Sequence, residues 1–179
     1  MVNKNSKTAL ITGAAGFIGF HIAKKLLEQG WRVVGIDDIS DYYDISLKQK
    51  RESILLQNSQ YRSVHEKIET PDIVRSLFQQ ELPDVVIHLA AQAGVRYSID
   101  NPRAYLESNI NGTFELLEAS RQYPPKHLMI ASTSSVYGAS EQMPYRETAS
   151  ADHQMSFYAA TKKSTENMAH SYSHIYKIP

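Results

Sequence analysis

The sequence predicts an α/β protein, a doubly wound parallel sheet of about five strands with helices on both faces. Three observations carry this. Short apolar runs alternate with longer amphipathic stretches along all 179 residues. Glycine, proline and asparagine punctuate the junctions between them. The first apolar run opens into a glycine-rich turn, Thr12-Gly-Ala-Ala-Gly-Phe-Ile-Gly19, that leads into a helix. Strands alternating with helices require crossover connections. Right-handed crossovers place helices on both faces of a parallel sheet.

Each element has its own warrant. Ala9-Leu-Ile11 is a short apolar run and reads as the first strand, and the amphipathic stretch from about 17 to 29 as the first helix. Arg32-Val-Val-Gly-Ile-Asp37 is the second strand, and the polar segment 38–44 a turn. A helix follows over about 45–57, then a strand near 63–68. Pro71 suits a helical first turn and opens a helix to Gln80. Leu82-Pro-Asp84 is a turn, and Val85-Val-Ile-His-Leu-Ala90 a strongly apolar strand. Asn101-Pro102 starts a long helix over 101–123, which Pro124-Pro125 stops. His127 to Ser132 is the fifth strand. A loop with Met143-Pro144 and Asp152-His153 leads to a last helix over 156–176. Residues 1–179 show no repeat, linker or low-complexity segment and read as one domain.

Composition narrows the function. Hydrophobic residues make up 42% and charged residues 21%, ordinary for a soluble globular protein. Nineteen basic and 19 acidic residues cancel, which argues against nucleic acid or an anionic membrane as partner. Without cysteine there is no disulfide, thiol nucleophile or zinc–thiolate site. No apolar run is long enough for a membrane span, and Met-Val-Asn-Lys-Asn-Ser-Lys7 lacks an apolar signal core, so the expected location is cytoplasmic. His170 and His174 stand four apart without a third ligand and read as surface histidines, so no metal is expected.

A doubly wound sheet binds its ligand beyond the carboxyl ends of its strands. Gly13 permits the tight turn there, Gly16 lets a pyrophosphate approach the backbone, and Gly19 lets the helix pack closely. The helix N-terminus adds unpaired N–H groups and a positive dipole end. The spacing Gly-x-x-Gly-x-x-Gly is one residue wider at its start than the common dinucleotide fingerprint, and alone it is equally a bare strand–helix turn. Asp37 decides the reading. An acid ending the second strand accepts from adenosine ribose hydroxyls and repels a 2′-phosphate. Asp38 adds a second carboxylate, and no arginine stands at Ile39, Ser40 or Asp41. The implied cofactor is NAD rather than NADP.

Tyr158-Ala-Ala-Thr-Lys162 places a phenol and an ammonium four apart, on one face of a helix. A free tyrosine titrates near pKa ~10, too high for a base at neutral pH; an adjacent ammonium stabilises the phenolate. Such a pair is also common on surface helices. The hydroxyl-rich strand end Ser132-Thr-Ser-Ser135 gives it a context, because a parallel sheet brings that end beside the helix.

The chain resembles the extended short-chain dehydrogenase/reductase family, of Rossmann fold, and within it the NAD-dependent epimerases and dehydratases of nucleotide sugars. The likeness is greatest to UDP-glucuronate 4-epimerases. It is carried by Thr12 to Gly19, Gly35-Ile-Asp-Asp38, Asp41-Tyr-Tyr-Asp-Ile-Ser-Leu47, His88-Leu-Ala-Ala-Gln-Ala-Gly-Val-Arg-Tyr-Ser98, Ser108-Asn-Ile-Asn-Gly-Thr113, Ser132-Thr-Ser-Ser-Val-Tyr-Gly138 and Ser156-Phe-Tyr-Ala-Ala-Thr-Lys-Lys163.

The resemblance implies a division of labour. Tyr158 takes the proton of the sugar C4 hydroxyl, Lys162 tunes it and bonds the nicotinamide ribose, and Thr133 is the hydroxyl partner. Gly13, Gly16, Phe17, Ile18 and Gly19 hold the pyrophosphate side of NAD, and Asp37 and Asp38 the ribose. Ile68, Leu89, Ala90, Ala91 and Asn109 complete the cofactor site. Ser134 and Ser135 face the UDP-sugar, and Arg96 is either a substrate contact or a solvated arginine. Dehydratases carry Asp-Glu at the 134–135 positions, so two serines favour epimerisation of UDP-glucuronate and UDP-galacturonate through a 4-keto intermediate. The family's two long helices pair as a four-helix interface, which implies a homodimer through 101–123 and 156–176.

Two departures accompany the resemblance. Lys67-Ile68 stands where the family has an acid that bonds the adenine amino group, and lysine cannot accept that bond. Family members are also about twice as long, so the chain corresponds to the cofactor half, with most of the sugar lobe missing and the fifth strand left as an open edge. A nucleotide-binding or vestigial domain without turnover is the alternative.

Overall fold

The computed structural model describes residues 6–179. Strands β1 (Thr8–Thr12), β2 (Arg32–Ile36), β3 (Tyr61–Val64), β4 (Val85–His88) and β5 (His127–Ile130) form one sheet in the order β3-β2-β1-β4-β5. Every neighbouring pair is parallel, as the alternation of elements predicts. Helices α1 (Phe17–Glu28) and α2 (Ile45–Leu55) cover one face, and α3 (Ile73–Glu81) the other.

Both faces of the sheet are buried, which explains the unbroken apolar runs. Side chains alternate across a strand. Leu10 therefore enters a core with Val34, Ile36, Val86, Phe78 and Leu116, while Ile11 enters the opposite core with Val33, Phe20, Ala23, Leu27 and Leu55.

The expected long helix over 101–123 runs unbroken from Pro102 to Gln122 with a π-helical turn inside it, and a separate short helix precedes it. Helix α4 spans Tyr97–Asp100 and α5 Pro102–Tyr105. A π-helical turn covers Leu106–Asn111, and α6 spans Gly112–Gln122. Asn101 separates α4 from α5 at φ −134° and ψ 67°, because the residue before a proline is pushed out of the helical region. The π turn carries the buried Asn109. Directly after it, a Cβ on Gly112 would lie 2.4 Å from Ile68 Cδ1, so α6 sits hard against the segment that follows β3. The third strand also ends earlier than the sequence implies, at Val64, and residues 65–68 are irregular.

Helix α7 (Phe157–Tyr176) packs on α6, on the π turn and on the 3₁₀ turn Ser134–Tyr137. Its N-terminus is capped by Ser156, whose hydroxyl accepts from Ala159 N–H at 3.1 Å. Strand β5 pairs only with β4, and its outer edge meets the chain again where Leu128 N–H donates to the Pro179 carbonyl at 2.9 Å. A cavity of about 360 Å³ between α6, α7 and β5 is lined by Leu117, Leu128, Ile130, Tyr172 and Ile178. Among the described residues no helix is long and apolar enough to cross a membrane.

The glycines separate by role. A Cβ on Gly19 would lie 2.1 Å from the Gly13 carbonyl oxygen, so this glycine lets α1 pack on the glycine turn itself rather than on the strand. Gly30 has φ +81° with nothing within 4 Å of an added Cβ. Gly19→Ala is expected to cost at least about 3 kcal/mol, since backbone must move. Gly30→Ala is expected to cost only about 1–2 kcal/mol of left-handed strain. Urea titrations of the two variants check this ordering.

Candidate active site

The carboxyl ends of β1, β2 and β4 open into a cleft of about 270 Å³ whose walls include Gly13, Gly16, Asp37, Ile68, Leu89 and Ala90. Gly13 takes φ +71°, and a Cβ there would lie 2.9 Å from Ala90 N. At Gly16 an added Cβ would meet only the Gly13 carbonyl, at 3.1 Å. No side chain caps α1, so its first-turn N–H groups remain for a ligand or water. Phe17 and Ile18 start that helix with side chains 65% and 58% exposed, so they would serve a ligand by main chain. Gly19 stands behind the turn, outside the cleft wall.

The end of β2 differs from the sequence expectation. Asp37 is buried, and both its oxygens are engaged. One accepts from Ala15 N–H at 3.0 Å; the other accepts from Ile39 N–H at 2.9 Å and from Lys48 Nζ at 3.2 Å. Lys48 also donates to Ser40 Oγ at 3.0 Å and stands 3.7 Å from Asp38. Arg51 donates to Tyr43 Oη at 3.1 Å and to the Ala15 carbonyl at 3.4 Å. Along the sequence this corner reads as two carboxylates without a cation. The cations arrive from α2, one element later. A signal for them exists, because Lys48, Glu52 and Leu55 share the buried face of that helix.

On the β3 side, Ile68 is both a cleft wall and part of the core, packed with Val74 and Leu116. Lys67 lines the rim with Glu66 and Glu69. Ala91 continues the wall from Leu89 and Ala90.

A buried chain of polar groups supports the wall. Thr12 Oγ1 accepts from Leu89 N–H at 3.1 Å and Ala90 N–H at 3.0 Å, and lies 2.7 Å from His88 Nδ1. With both lone pairs used, the Thr12 hydroxyl donates to Nδ1. His88 Nε2 therefore carries the proton and donates to Thr113 Oγ1 at 3.1 Å. Burial, with a further push from the Lys162 charge, drives the His88 pKa down to about 3, so the imidazole is neutral. Sequence reasoning singles out neither His88 nor Lys48. A histidine inside an otherwise apolar strand is the signal for the first.

The second half of the site is built on α7. Tyr158 and Lys162 are one turn apart on it. The Tyr158 ring meets Tyr105 edge-on at 5.9 Å. Tyr105 is fully buried and donates to the Ala93 and Gly94 carbonyls, and burial raises its pKa to about 12. Lys162 is buried and makes no ion pair among the described residues; burial pushes its ammonium below the ordinary value, against an opposing pull from Glu166. Asn109 stands behind the cleft. Its amide accepts from Gln92 N–H at 2.8 Å and donates to the Gln92 carbonyl at 3.1 Å and to Thr161 Oγ1 at 3.0 Å, tying the β4 loop to α7.

Thr133 caps the 3₁₀ turn, accepting from Ser135 N–H at 3.2 Å and contacting Ser135 Oγ at 3.4 Å. Ser134 is exposed beside it, and the turn packs on α7. Arg96 is exposed at the start of α4, without an ion pair among the described residues. Tyr42, from the β2 loop, lies 5.1 Å from Tyr97, from the β4 loop. The two loops therefore touch across the end of β1.

The sequence profile of the GDP-mannose 4,6 dehydratase family matches residues 10–179. This chain belongs to that family. It is 51% identical over 170 residues to a probable UDP-glucuronate 4-epimerase of Rhizobium meliloti, covering 95% of this chain and 50% of that protein. Protein CapI of Staphylococcus aureus is 53% identical over 171 residues, again 95% of this chain and 51% of the relative. Among solved structures, the UDP-glucuronic acid 4-epimerase of Bacillus cereus in complex with UDP-glucuronic acid and NAD superposes with a TM-score of 0.89 at 37% identity. That match covers 96% of this chain and 54% of the other. The chain thus spans about half the length of the family relatives it matches.

The neutral His88 makes stability depend on pH. The unfolded chain binds a proton near pH 6.5 that the folded chain refuses until about 3. The contribution is therefore full above about 6.5 and is lost as pH falls below it. From pH 7.5 to 5, above the range where carboxylates titrate, the chain is expected to lose roughly 2 kcal/mol. His88→Gln, which keeps a donor and an acceptor, is expected to flatten that slope in urea titrations.

Proposed function

We propose that this chain is the cofactor-binding half of an NAD-dependent nucleotide-sugar 4-epimerase that interconverts UDP-glucuronate and UDP-galacturonate. The observation that carries the reading is the pairing of a dinucleotide-type cleft with Tyr158 and a buried Lys162 on the adjoining helix. The cleft suits the group: an uncapped helix N-terminus for the pyrophosphate, an open side at Gly16, and a carboxylate at the ribose end.

In this reading NAD, when bound, accepts and returns the hydride of the sugar C4. Tyr158 removes the proton from the C4 hydroxyl and later gives it back. Lys162 holds the phenolate charge from a buried position with no ion pair of its own among the described residues. Asn109 fixes the position of Thr161 one turn along and so the face of α7 that carries the base. Thr133, Ser134 and Ser135 offer hydroxyls to the sugar and its carboxylate, and Arg96 offers a cation from the far side. A cytoplasmic homodimer through α6 and α7 is part of the proposal. It is supported by Phe114 and Ile175, large apolar side chains 45% and 59% exposed on those helices.

A nucleotide-binding domain without turnover is the second reading. The half-length coverage of the relatives and the exposure of Arg96 and Ser134 favour it. Incubating the 179-residue chain with UDP-glucuronate and separating the products decides between them. Robust formation of UDP-galacturonate eliminates the second reading.

The base is tested in a chimera carrying the C-terminal half of the Rhizobium meliloti relative. Tyr158→Phe is expected to lower turnover roughly 10²–10⁴-fold, the usual range for lost acid–base catalysis. NAD affinity by calorimetry is expected to stay within about threefold, since RT ln 3 is below 1 kcal/mol. A chimera with Tyr158→Phe that still epimerises would refute the assignment of the base.

A further inference from the structure

We propose that Tyr105 is a positioning residue for Tyr158: its ring fixes the orientation of the Tyr158 ring, and its hydroxyl ties that ring to the loop that follows β4. The proposal deepens the reading of Tyr158 as the base and rests on it.

Tyr158 has little else to hold it. It is half-buried in the first turn of α7. Its hydroxyl makes no hydrogen bond among the described residues. Among those residues one other aromatic ring meets it, that of Tyr105, edge-on at 5.9 Å with an interplanar angle of 68°. Edge-to-face pairs favour centroid separations of roughly 4.5–7 Å, so the contact has an orientation as well as a distance. A reacting group displaced by about 1 Å can lose about a hundredfold in rate, so this contact bears directly on proton transfer.

Tyr105 is itself fixed at both ends. Its ring is fully buried. Its single hydroxyl proton is shared between the carbonyls of Ala93, at 2.8 Å, and Gly94, at 2.5 Å. Gly94 has φ +99°, and a Cβ there would lie 2.6 Å from Tyr42 Oη, so Tyr42 packs against the same residue. Tyr97 touches both tyrosines, 5.1 Å from Tyr42 and 6.1 Å from Tyr105. Phenylalanine would fill the volume at 105 as well. The hydroxyl adds the hold on the two loop carbonyls.

A second link runs beside the first. Asn109, four residues on, bonds the N–H and carbonyl of Gln92 and the hydroxyl of Thr161. Gln92 lines the cleft. Tyr105 and Asn109 thus each join the segment 92–94 to α7, one at Tyr158 and the other at Thr161. The cleft wall and the base are referred to the same helix.

Two measurements test this on the unmodified protein, Tyr105→Phe and Tyr105→Leu. The first needs no turnover. Three-bond Hα–Hβ couplings in the 179-residue chain report whether Tyr158 keeps one χ1 rotamer, with thermal melts as the folding control. A single rotamer is expected in the unmodified chain and in Tyr105→Phe, which keeps the ring. Averaging over rotamers is expected in Tyr105→Leu. The second is turnover of the chimera with the Rhizobium meliloti C-terminal half. Tyr105→Leu is expected to lower kcat about tenfold to a hundredfold, with KM for UDP-glucuronate and NAD affinity within about threefold. Tyr105→Phe is expected to keep kcat within about threefold.

A tyrosine that only fills the core would lower the melting temperature in both variants and move neither readout; that result overturns the proposal. So does rotamer averaging of Tyr158 in the unmodified chain, or an equal loss of kcat in the two variants. If Tyr105→Leu does not fold, Tyr105→Met, whose flexible side chain fills irregular gaps, takes its place. If neither folds, the couplings of the unmodified chain and kcat of Tyr105→Phe decide. An unmodified chimera without turnover refutes the epimerase reading, and the couplings still decide whether Tyr105 holds Tyr158.

Discussion

The hydroxyl of Thr12 is the point on which the site depends. It ends the central strand, and through it one side chain holds two N–H groups of the β4 loop and the ring of His88. His88 passes the connection to Thr113 in α6. The cleft wall at Leu89 and Ala90, the glycine turn that packs against Ala90, and the helix that carries the π turn are therefore indexed to one buried atom. A neutral imidazole is essential to this arrangement. A second ring proton would point at a hydroxyl that already accepts twice. The burial that keeps His88 neutral thus also keeps the wall in place.

Much of the sheet was legible because two-sided burial writes itself into sequence as uninterrupted apolar residues. Val33, Val34 and Ile36, or Val86 and Ile87, are buried, and no helix of that length would be stable alone. The order of elements then fixed the parallel pairing. Boundaries were less legible. The third strand ends at Val64 because Ile68 is needed elsewhere, as the side chain that fills the space left by Gly112. No local pattern announces a contact between residues so far apart. The helix over 101–123 forms within a residue of each expected end, but the π turn inside it was illegible for a similar reason. Its apolar spacing is helical, but Asn109 trades helical regularity for hydrogen bonds to Gln92 and Thr161. A wide turn inside a helix is a frequent device at functional sites.

The candidate site was legible where its residues are adjacent in the chain and hidden where they are not. Gly13, Gly16 and Asp37 follow one another along a strand–helix–strand unit, and Tyr158 and Lys162 share one helical turn. Lys48 joins Asp37 only after α2 has folded back over the turn, and a search of the positions just after Asp37 could not find it. The charge at this corner is a property of three dimensions. Carboxylates counted along the chain overstate it when a helix on the same face supplies the opposite sign.

Family membership also stops short of the reaction. The family takes its description from a 4,6-dehydratase, whereas the relatives named above include proteins described as 4-epimerases. The residues that the resemblance implies separate such chemistries stand on the 3₁₀ turn after β5. Elimination across the sugar C5–C6 bond needs a group that takes a proton from carbon and another that protonates the leaving oxygen. Thr133, Ser134 and Ser135 supply only hydroxyls, and Thr133 Oγ1 already accepts from Ser135 N–H. Glu166, which meets that strand end, accepts from Ser132 and from Lys163, the latter at 3.1 Å. A shelf of hydroxyls can hold a sugar or its carboxylate without attacking either. Under the proposed function Tyr158 would move the proton, and a single such group is what exchange at one carbinol carbon requires.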